Sequence, residues 1–161
     1  MATNTIITVV CTGNICRSPM GEIMLRDYLA EHGIEGITVN SCGMANYHVG
    51  DGADPRAIKQ LDAEGHDGTQ HVASQFGADY AGSDALLAMD EGHARGLIRA
   101  GVDPKRVFLY RAFDPESWTG DLNSLDAPET EDPYYGDQSD FARVAQEIKA
   151  ALPGIAEYFQ R

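Results

Sequence analysis

The chain has 161 residues, with 12 Lys and Arg against 25 Asp and Glu and a formal net charge of −13. That length suits one domain with a buried core, and 43% hydrophobic with 23% charged residues is a globular rather than a disordered composition. The acidic balance argues against nucleic-acid binding and against docking on an anionic membrane, and no apolar run approaches the roughly 20 residues that span a bilayer.

In chain order, residues 6–10 form a continuous β-branched run, as expected of a strand covered on both faces. A loop containing Gly and Asn follows, and Pro19 then opens a helix that is expected to run through His32 and stop at Gly33. Residues 37–39 read as a second, short strand. Asp54 and Pro55 start a helix with an apolar stripe of Ala57, Ile58 and Leu61, ended by Gly65. Residues 85–89 are a third buried strand, residues 90–100 a helix closed by Gly101, and residues 107–110 a fourth strand. Residues 139–159 form a long amphipathic helix carrying Phe141, Val144, Ala145, Ile148, Leu152 and Ile155. The alternation predicts an α/β fold, a single domain over residues 1–161. Its open, four-stranded parallel sheet would be flanked by helices on both faces, with a phosphate-binding loop after the first strand.

Residues 114–137 break the pattern, being rich in Pro, Gly and acid, and read as a long loop; long loops in compact domains are usually functional. The first residues, MATNTIITVV, lack the basic and apolar regions of a secretory signal, so a cytoplasmic location is expected. The three cysteines, Cys11, Cys16 and Cys42, are too few for a disulfide framework and lack the spacing of a zinc site. Free thiols in a reducing compartment are the expectation, one of them reactive.

The segment Val10-Cys11-Thr12-Gly13-Asn14-Ile15-Cys16-Arg17-Ser18-Pro19 joins a strand to a helix. Inward-facing amides and the positive end of the helix would make a cradle of phosphate size. Arg17 adds a planar, two-pronged grip on two oxygens that Lys could not reproduce. Cys11 would sit on the floor of that positive field, which favours its thiolate, and a thiolate beneath a phosphoryl group is placed for in-line attack. The bland alternative is a buried Cys11 ending a strand and an ordinary Arg17 at a helix start.

CTGNICRSP resembles the signature of the low-molecular-weight protein tyrosine phosphatases, and Glu131-Asp132-Pro133-Tyr134-Tyr135-Gly136-Asp137 resembles that family's second signature, DPYYG. The likeness runs nearly end to end, through Ser41-Cys42-Gly43, Asn46-Tyr47-His48-Val49-Gly50, Asp54-Pro55-Arg56-Ala57 and Met89-Asp90, and is strongest with the bacterial, particularly actinobacterial, branch. It implies hydrolysis of phosphotyrosine through a cysteinyl-phosphate, with Cys11 as nucleophile and Asp132 as general acid and base. Arg17 and the loop of Thr12, Gly13, Asn14, Ile15 and Cys16 would bind the phosphoryl group, and Ser18 would donate its hydroxyl to the Cys11 sulfur. Composition does not separate Asp132 from Asp126, Glu129, Glu131 or Asp137 among the nine acids of residues 114–140; the following Pro and the family pattern do.

The resemblance also makes Tyr47, Tyr134 and Tyr135 the walls of a deep aromatic slot that a phosphoserine is too short to use. Asn14 is expected in a left-handed conformation, held by Ser41 and His71, with Glu22 pairing with His71, a charged and structural histidine. His32, His48, His66 and His93 are read as having no role. The implied partners are tyrosine-phosphorylated proteins, with a cognate tyrosine kinase as a candidate; a monomer without cofactor or metal is expected.

Two positions depart from the family pattern. Cys42 replaces the usual Ala and adds a thiol near the loop, and Ser74 replaces a frequent basic residue and is expected to remove charge from the pocket rim. Cys16 is a candidate to trap an oxidised Cys11 as a disulfide, against a plain buried thiol. Rival functions are a thioredoxin-coupled arsenate reductase, disfavoured because no cysteine follows Cys42, and a phosphoarginine phosphatase, disfavoured by Ile15 where Thr is usual. A non-catalytic phosphotyrosine-binding module would need neither Cys11 nor Asp132.

Overall fold

Along the first strand, β1 (Thr5–Cys11), successive side chains enter two different cores, as the two-residue period of a strand requires. Ile7, Val9 and Cys11 join one buried cluster, and Val10 joins the other. The computed structural model describes residues 4–160. After β1 come α1 (Arg17–Glu31), β2 (Ile37–Gly43), α2 (Pro55–Ala63), a four-residue α3 (Ala78–Ala81), β3 (Ala85–Ala88), α4 (Glu91–Arg99), β4 (Val107–Leu109) and α5 (Gln138–Phe159). Short 3-10 turns occupy Pro104–Arg106 and Tyr110–Phe113.

The four strands form one parallel sheet in the order β2-β1-β3-β4. Side chains of α1, α2 and α5 fill the core on the Ile7 face, and Ala94 and Leu97 of α4 fill the core on the Val10 face. The expected α/β architecture is therefore present, with helices on both faces. The chain leaves β1 toward β2 on one side and returns to β3 on the other, so the carboxyl end of β1 is the switch point of the sheet. Ligands of open parallel sheets bind at such a point, and residues 11–17 lie there.

Two of the boundaries that differ from the sequence expectation bear on the site. The second strand extends to Gly43 and pairs with β1 along its whole length, from Thr5 opposite Ile37 to Cys11 opposite Gly43. Asn40 and Ser41 hid this extension by being polar, yet Thr8 Oγ1 donates to Asn40 Oδ1 across the pair at 2.6 Å. The first helix begins at Arg17, two residues before Pro19. Residues 114–137 contain no helix or strand, as expected of the long loop.

The last helix runs through Pro153 and presses Gly154 against the turn that follows β4. A Cβ on Gly154 would stand 2.1 Å from the Phe113 carbonyl oxygen, a backbone atom that cannot swing aside. Gly154→Ala is therefore expected to destabilise the fold by about 1–3 kcal/mol, the usual cost of overpacking, and chemical denaturation of both proteins measures it. Equal midpoints would show that α5 and the turn separate freely.

Candidate active site

The loop after β1 is shaped by what its carbonyls bond to. The Cys11 carbonyl accepts from the Met44 amide and the Thr12 carbonyl from the Ala45 amide, each at 2.9 Å. The Asn14 carbonyl accepts from His71 Nε2 at 2.7 Å, the Ile15 carbonyl from the Asp54 amide at 2.8 Å, and the Cys16 carbonyl from the Met20 amide at 3.3 Å. With these carbonyls engaged, the amides of Gly13, Asn14, Ile15 and Cys16 donate to no acceptor among the described residues. Helix α1 adds to them. Its N-cap, Cys16, supplies no side-chain acceptor and its first turn has no acid, whereas Asp54, Asp90 and Asp137 cap α2, α4 and α5. Free amides around an uncapped helix start make an anion cradle.

Asn14, at φ 58°, is the one non-glycine residue with positive φ among those described. Its side chain holds it there: Nδ2 donates to Ser18 Oγ at 2.8 Å and to Ser41 Oγ at 3.0 Å, and Oδ1 accepts from the Ser74 amide at 2.9 Å. Ser41 Oγ in turn donates to Glu22 Oε1. Glu22 thus joins the network through Ser41, and its other partner is Arg26 at 2.9 Å; among the described residues nothing links it to His71, contrary to expectation. Gly43 is needed because a Cβ there would meet the Thr12 carbonyl oxygen at 2.6 Å.

A cavity of about 250 Å³ opens over this loop, lined by Cys11, Thr12, Gly13, Ile15, Cys16 and Arg17. From outside the loop it is lined by Tyr47, His48, Asp132, Tyr134 and Tyr135. Asn14 and Ser18 are fully buried and do not line it. The expected deep slot is a rimmed opening instead: Tyr47 is 77% and Tyr135 92% exposed. Tyr134, at 38%, packs edge-on against Tyr135 with ring centroids 5.0 Å apart.

Cys11 is buried, with its sulfur 2.9 Å from Ser18 Oγ. Asn14 already donates to that hydroxyl, so Ser18 gives its own proton to an acceptor, and the sulfur at 2.9 Å lies nearer than the Cys42 carbonyl at 3.4 Å. The other two thiols are poor nucleophiles: burial, then Asp54 and Cys11, push Cys16 far up, and burial followed by Cys11 pushes Cys42 up to about 12. Cys42 packs in the core of the α4 face. Ser74 lies behind the loop rather than on the pocket rim, its hydroxyl 2.7 Å from the Tyr80 hydroxyl. Position 74 therefore does not line the cavity, where the expectation had put it.

Arg17 is 3% exposed and enters the site with one nitrogen committed. NH1 donates to Asp90 Oδ2 at 3.1 Å and to the Thr130 carbonyl at 2.9 Å. Nε and NH2 remain for two oxygens of an anion, with NH2 at 3.6 Å from Asp132 Oδ2.

Sequence reasoning missed Asp90 and His93. His93 Nε2 lies 2.7 Å from Thr12 Oγ1, while its backbone amide donates to Asp90 Oδ1. Burial, opposed in part by Asp90, pushes the His93 imidazole down to about 4. Burial works the other way on Asp90, but the His93 ring and amide and Arg17 outweigh it and hold that carboxyl below its usual range. A signal existed: an Asp directly after a buried strand and before a helix, beside the central strand, is where a parallel sheet presents side chains to a ligand. For His48, which lines the cavity, sequence carried no such signal.

The comparisons with known proteins agree with this geometry. Residues 6–161 match the family model described as low molecular weight phosphotyrosine protein phosphatase, and the chain belongs to that family. It is thereby a protein-tyrosine phosphatase, a phosphoric monoester hydrolase. It is 46% identical over 153 residues to low molecular weight protein-tyrosine phosphatase A of Mycobacterium tuberculosis, covering 94% of this chain and 90% of that one. It is 38% identical to the low molecular weight protein-tyrosine-phosphatase of Streptomyces coelicolor, covering 92% and 90%, as expected of an actinobacterial-like sequence. A crystal structure of protein tyrosine phosphatase from Entamoeba histolytica superposes with a TM-score of 0.82 at 26% identity, covering 94% of each chain.

The buried His93 makes stability depend on pH. Its folded value, about 4, lies below the ordinary ~6.5, so between those values the unfolded chain binds more protons and acid favours unfolding. Stability is expected to fall by on the order of 1–3 kcal/mol as pH drops through that window. Asp90 extends the loss below its unfolded value. Denaturant titrations at several pH values should show a shallower fall in His93→Gln than in wild type; parallel curves would contradict the assignment.

Proposed function

We propose that this chain hydrolyses phosphotyrosine in proteins through a cysteinyl-phosphate. The observation that carries the reading is the convergence of the Cys11 sulfur, the Nε–NH2 edge of Arg17 and the Asp132 carboxyl on one cavity. In the first step the Cys11 sulfur bonds to phosphorus while the bond from phosphorus to the tyrosine oxygen breaks. The electron pair goes to that oxygen, and protonated Asp132 supplies its proton, because a phenolate of pKa ~10 is a poor leaving group. Arg17 and the loop amides hold the three remaining phosphoryl oxygens, a preorganised electrostatic contribution.

In the second step water attacks phosphorus, the Asp132 carboxylate takes its proton, and the electron pair of the sulfur–phosphorus bond returns to Cys11. The Ser18 hydroxyl, 2.9 Å from that sulfur, stabilises the departing thiolate. Tyr47, Tyr134 and Tyr135 offer apolar surface to the substrate ring. The substrates are tyrosine-phosphorylated cytoplasmic proteins, written by a tyrosine kinase, and the whole chain acts as one monomeric catalytic domain. Thiolate, guanidinium and carboxyl complete the reaction without a cofactor.

Phosphate release from a phosphotyrosine peptide, followed between about pH 5 and pH 7, tests the proposal. Cys11→Ser should abolish turnover, and Asp132→Asn should lower it by ~10²-fold or more. Phosphoserine and phosphoarginine peptides should be poor substrates. Tight peptide binding without turnover by wild type would make the chain a binding module, and preferred turnover of phosphoarginine would move it to another substrate class.

A further inference from the structure

The segment that carries Asp132 and the two pocket tyrosines is tethered weakly by its own backbone. Within residues 131–136 the hydrogen bonds of the Tyr134 and Gly136 amides close on Asp132 Oδ1 and the Pro133 carbonyl, inside the segment. Among the described residues, one hydrogen bond leaves it for another part of the chain: Arg56 NH1 donates to the Gly136 carbonyl at 3.0 Å.

Arg56 is unusually well fixed for this task. Its Nε and NH2 grip the two oxygens of Asp54 at 3.0 and 2.8 Å. The guanidinium lies over the Phe141 ring at 4.6 Å and reaches the Tyr134 ring at 5.5 Å. Beyond the segment, Gln138 Nε2 donates to the Arg56 carbonyl at 2.9 Å. At the other end, the Asp54 amide is the donor that turns the Ile15 carbonyl out of the anion cradle. Beside the direct ion pair of Arg17 NH2 with Asp132 at 3.6 Å, the Asp54–Arg56 pair thus joins the cradle to the backbone of the segment that lies across the cavity from it.

We infer that Arg56 is a positioning residue that sets the distance between the Cys11 loop and the proton donor Asp132, by clamping the Asp132–Gly136 segment to the start of α2. The inference rests on the reading of Asp132 as general acid. Arg56 touches neither the phosphoryl group nor the leaving group; it fixes where the carboxyl sits. Proton donation falls steeply with misplacement of the donor, whereas attack by the thiolate depends on the cradle alone. Loss of the clamp should therefore hurt substrates in proportion to how much their leaving group needs a proton.

The test measures kcat/KM for aryl phosphates from phenyl phosphate, with a poor leaving group, to 2,4-dinitrophenyl phosphate, whose leaving group needs no proton. The proteins are wild type, Arg56→Met, Arg56→Lys and Asp132→Asn. Arg56→Met keeps the stem over Phe141, and Arg56→Lys also keeps the charge, but neither can hold Asp54 and Gly136 together. Both should lose ~10-fold or more on phenyl phosphate and less than about threefold on dinitrophenyl phosphate, while competitive inhibition by inorganic phosphate stays within about twofold. Adding Asp132→Asn should make the Arg56 substitutions nearly silent.

Equal losses on every substrate, or a full Arg56 effect in the Asp132→Asn background, would overturn the inference. An unchanged Arg56→Lys profile would overturn it as well, and that variant keeps the question decidable if Arg56→Met folds poorly. The wild type and Asp132→Asn curves alone judge the acid assignment: if Asp132→Asn does not steepen the leaving-group dependence, the general-acid reading fails whatever Arg56 does.

Discussion

The site depends on where five carbonyl groups point. A seven-residue turn from Cys11 to Arg17 carries as many acceptors as donors, and it can bind an anion only if the acceptors face away. Here the carbonyls of Cys11, Thr12, Asn14, Ile15 and Cys16 are held by Met44, Ala45, His71, Asp54 and Met20. Four of those partners lie outside the loop and its helix, in the segments after β2, before α2 and near His71. Their long sequence separation ties the cradle to the fold itself, so the amides are preorganised before a ligand arrives, which is where electrostatic stabilisation gains most.

The same economy governs charge. The chain is acidic overall at −13, yet the cavity presents Arg17 and bare amides at its base. Asp90 lies on the far edge of Arg17, and takes one nitrogen without covering the other two. His93, neutral over most of the working range, ties the Thr12 side chain to the helix that Asp90 caps. A charged residue at position 93 would compete with Arg17 for Asp90; a neutral imidazole packs beside the pair without adding charge. The residues around Arg17 thus act on geometry more than on net attraction.

The fold was largely legible because the strands contain short apolar runs and most helices carry a start or stop residue; the four-residue α3 was not foreseen. Pro55, Gly65, Gly101 and the continuous apolar run of residues 85–88 needed no tertiary information. The polar half of β2 was hidden because Asn40 and Ser41 pair with neighbours instead of water. At the site, the loop from Cys11 to Arg17 was readable from its place between an apolar strand and Ser18-Pro19 and from its likeness to a family signature, and Asn14 followed from its tolerance of positive φ. Glu22, Ser74 and His93 were misjudged because their meaning lies in which atom they face across the sheet, and sequence spacing does not encode that. The openness of the pocket was hidden as well, since exposure of Tyr47 and Tyr135 depends on what fails to cover them.

The central claim is that the Cys11 sulfur itself receives the phosphoryl group in the cradle. Wild-type enzyme mixed with excess phosphotyrosine peptide, quenched in acid within a turnover and digested for mass spectrometry, tests it most directly. The account predicts one phosphoryl group on the peptide containing Cys11, on sulfur, and none on the peptide containing Cys42. Continued turnover with no such adduct at any quench time, or an adduct on another residue, would contradict it.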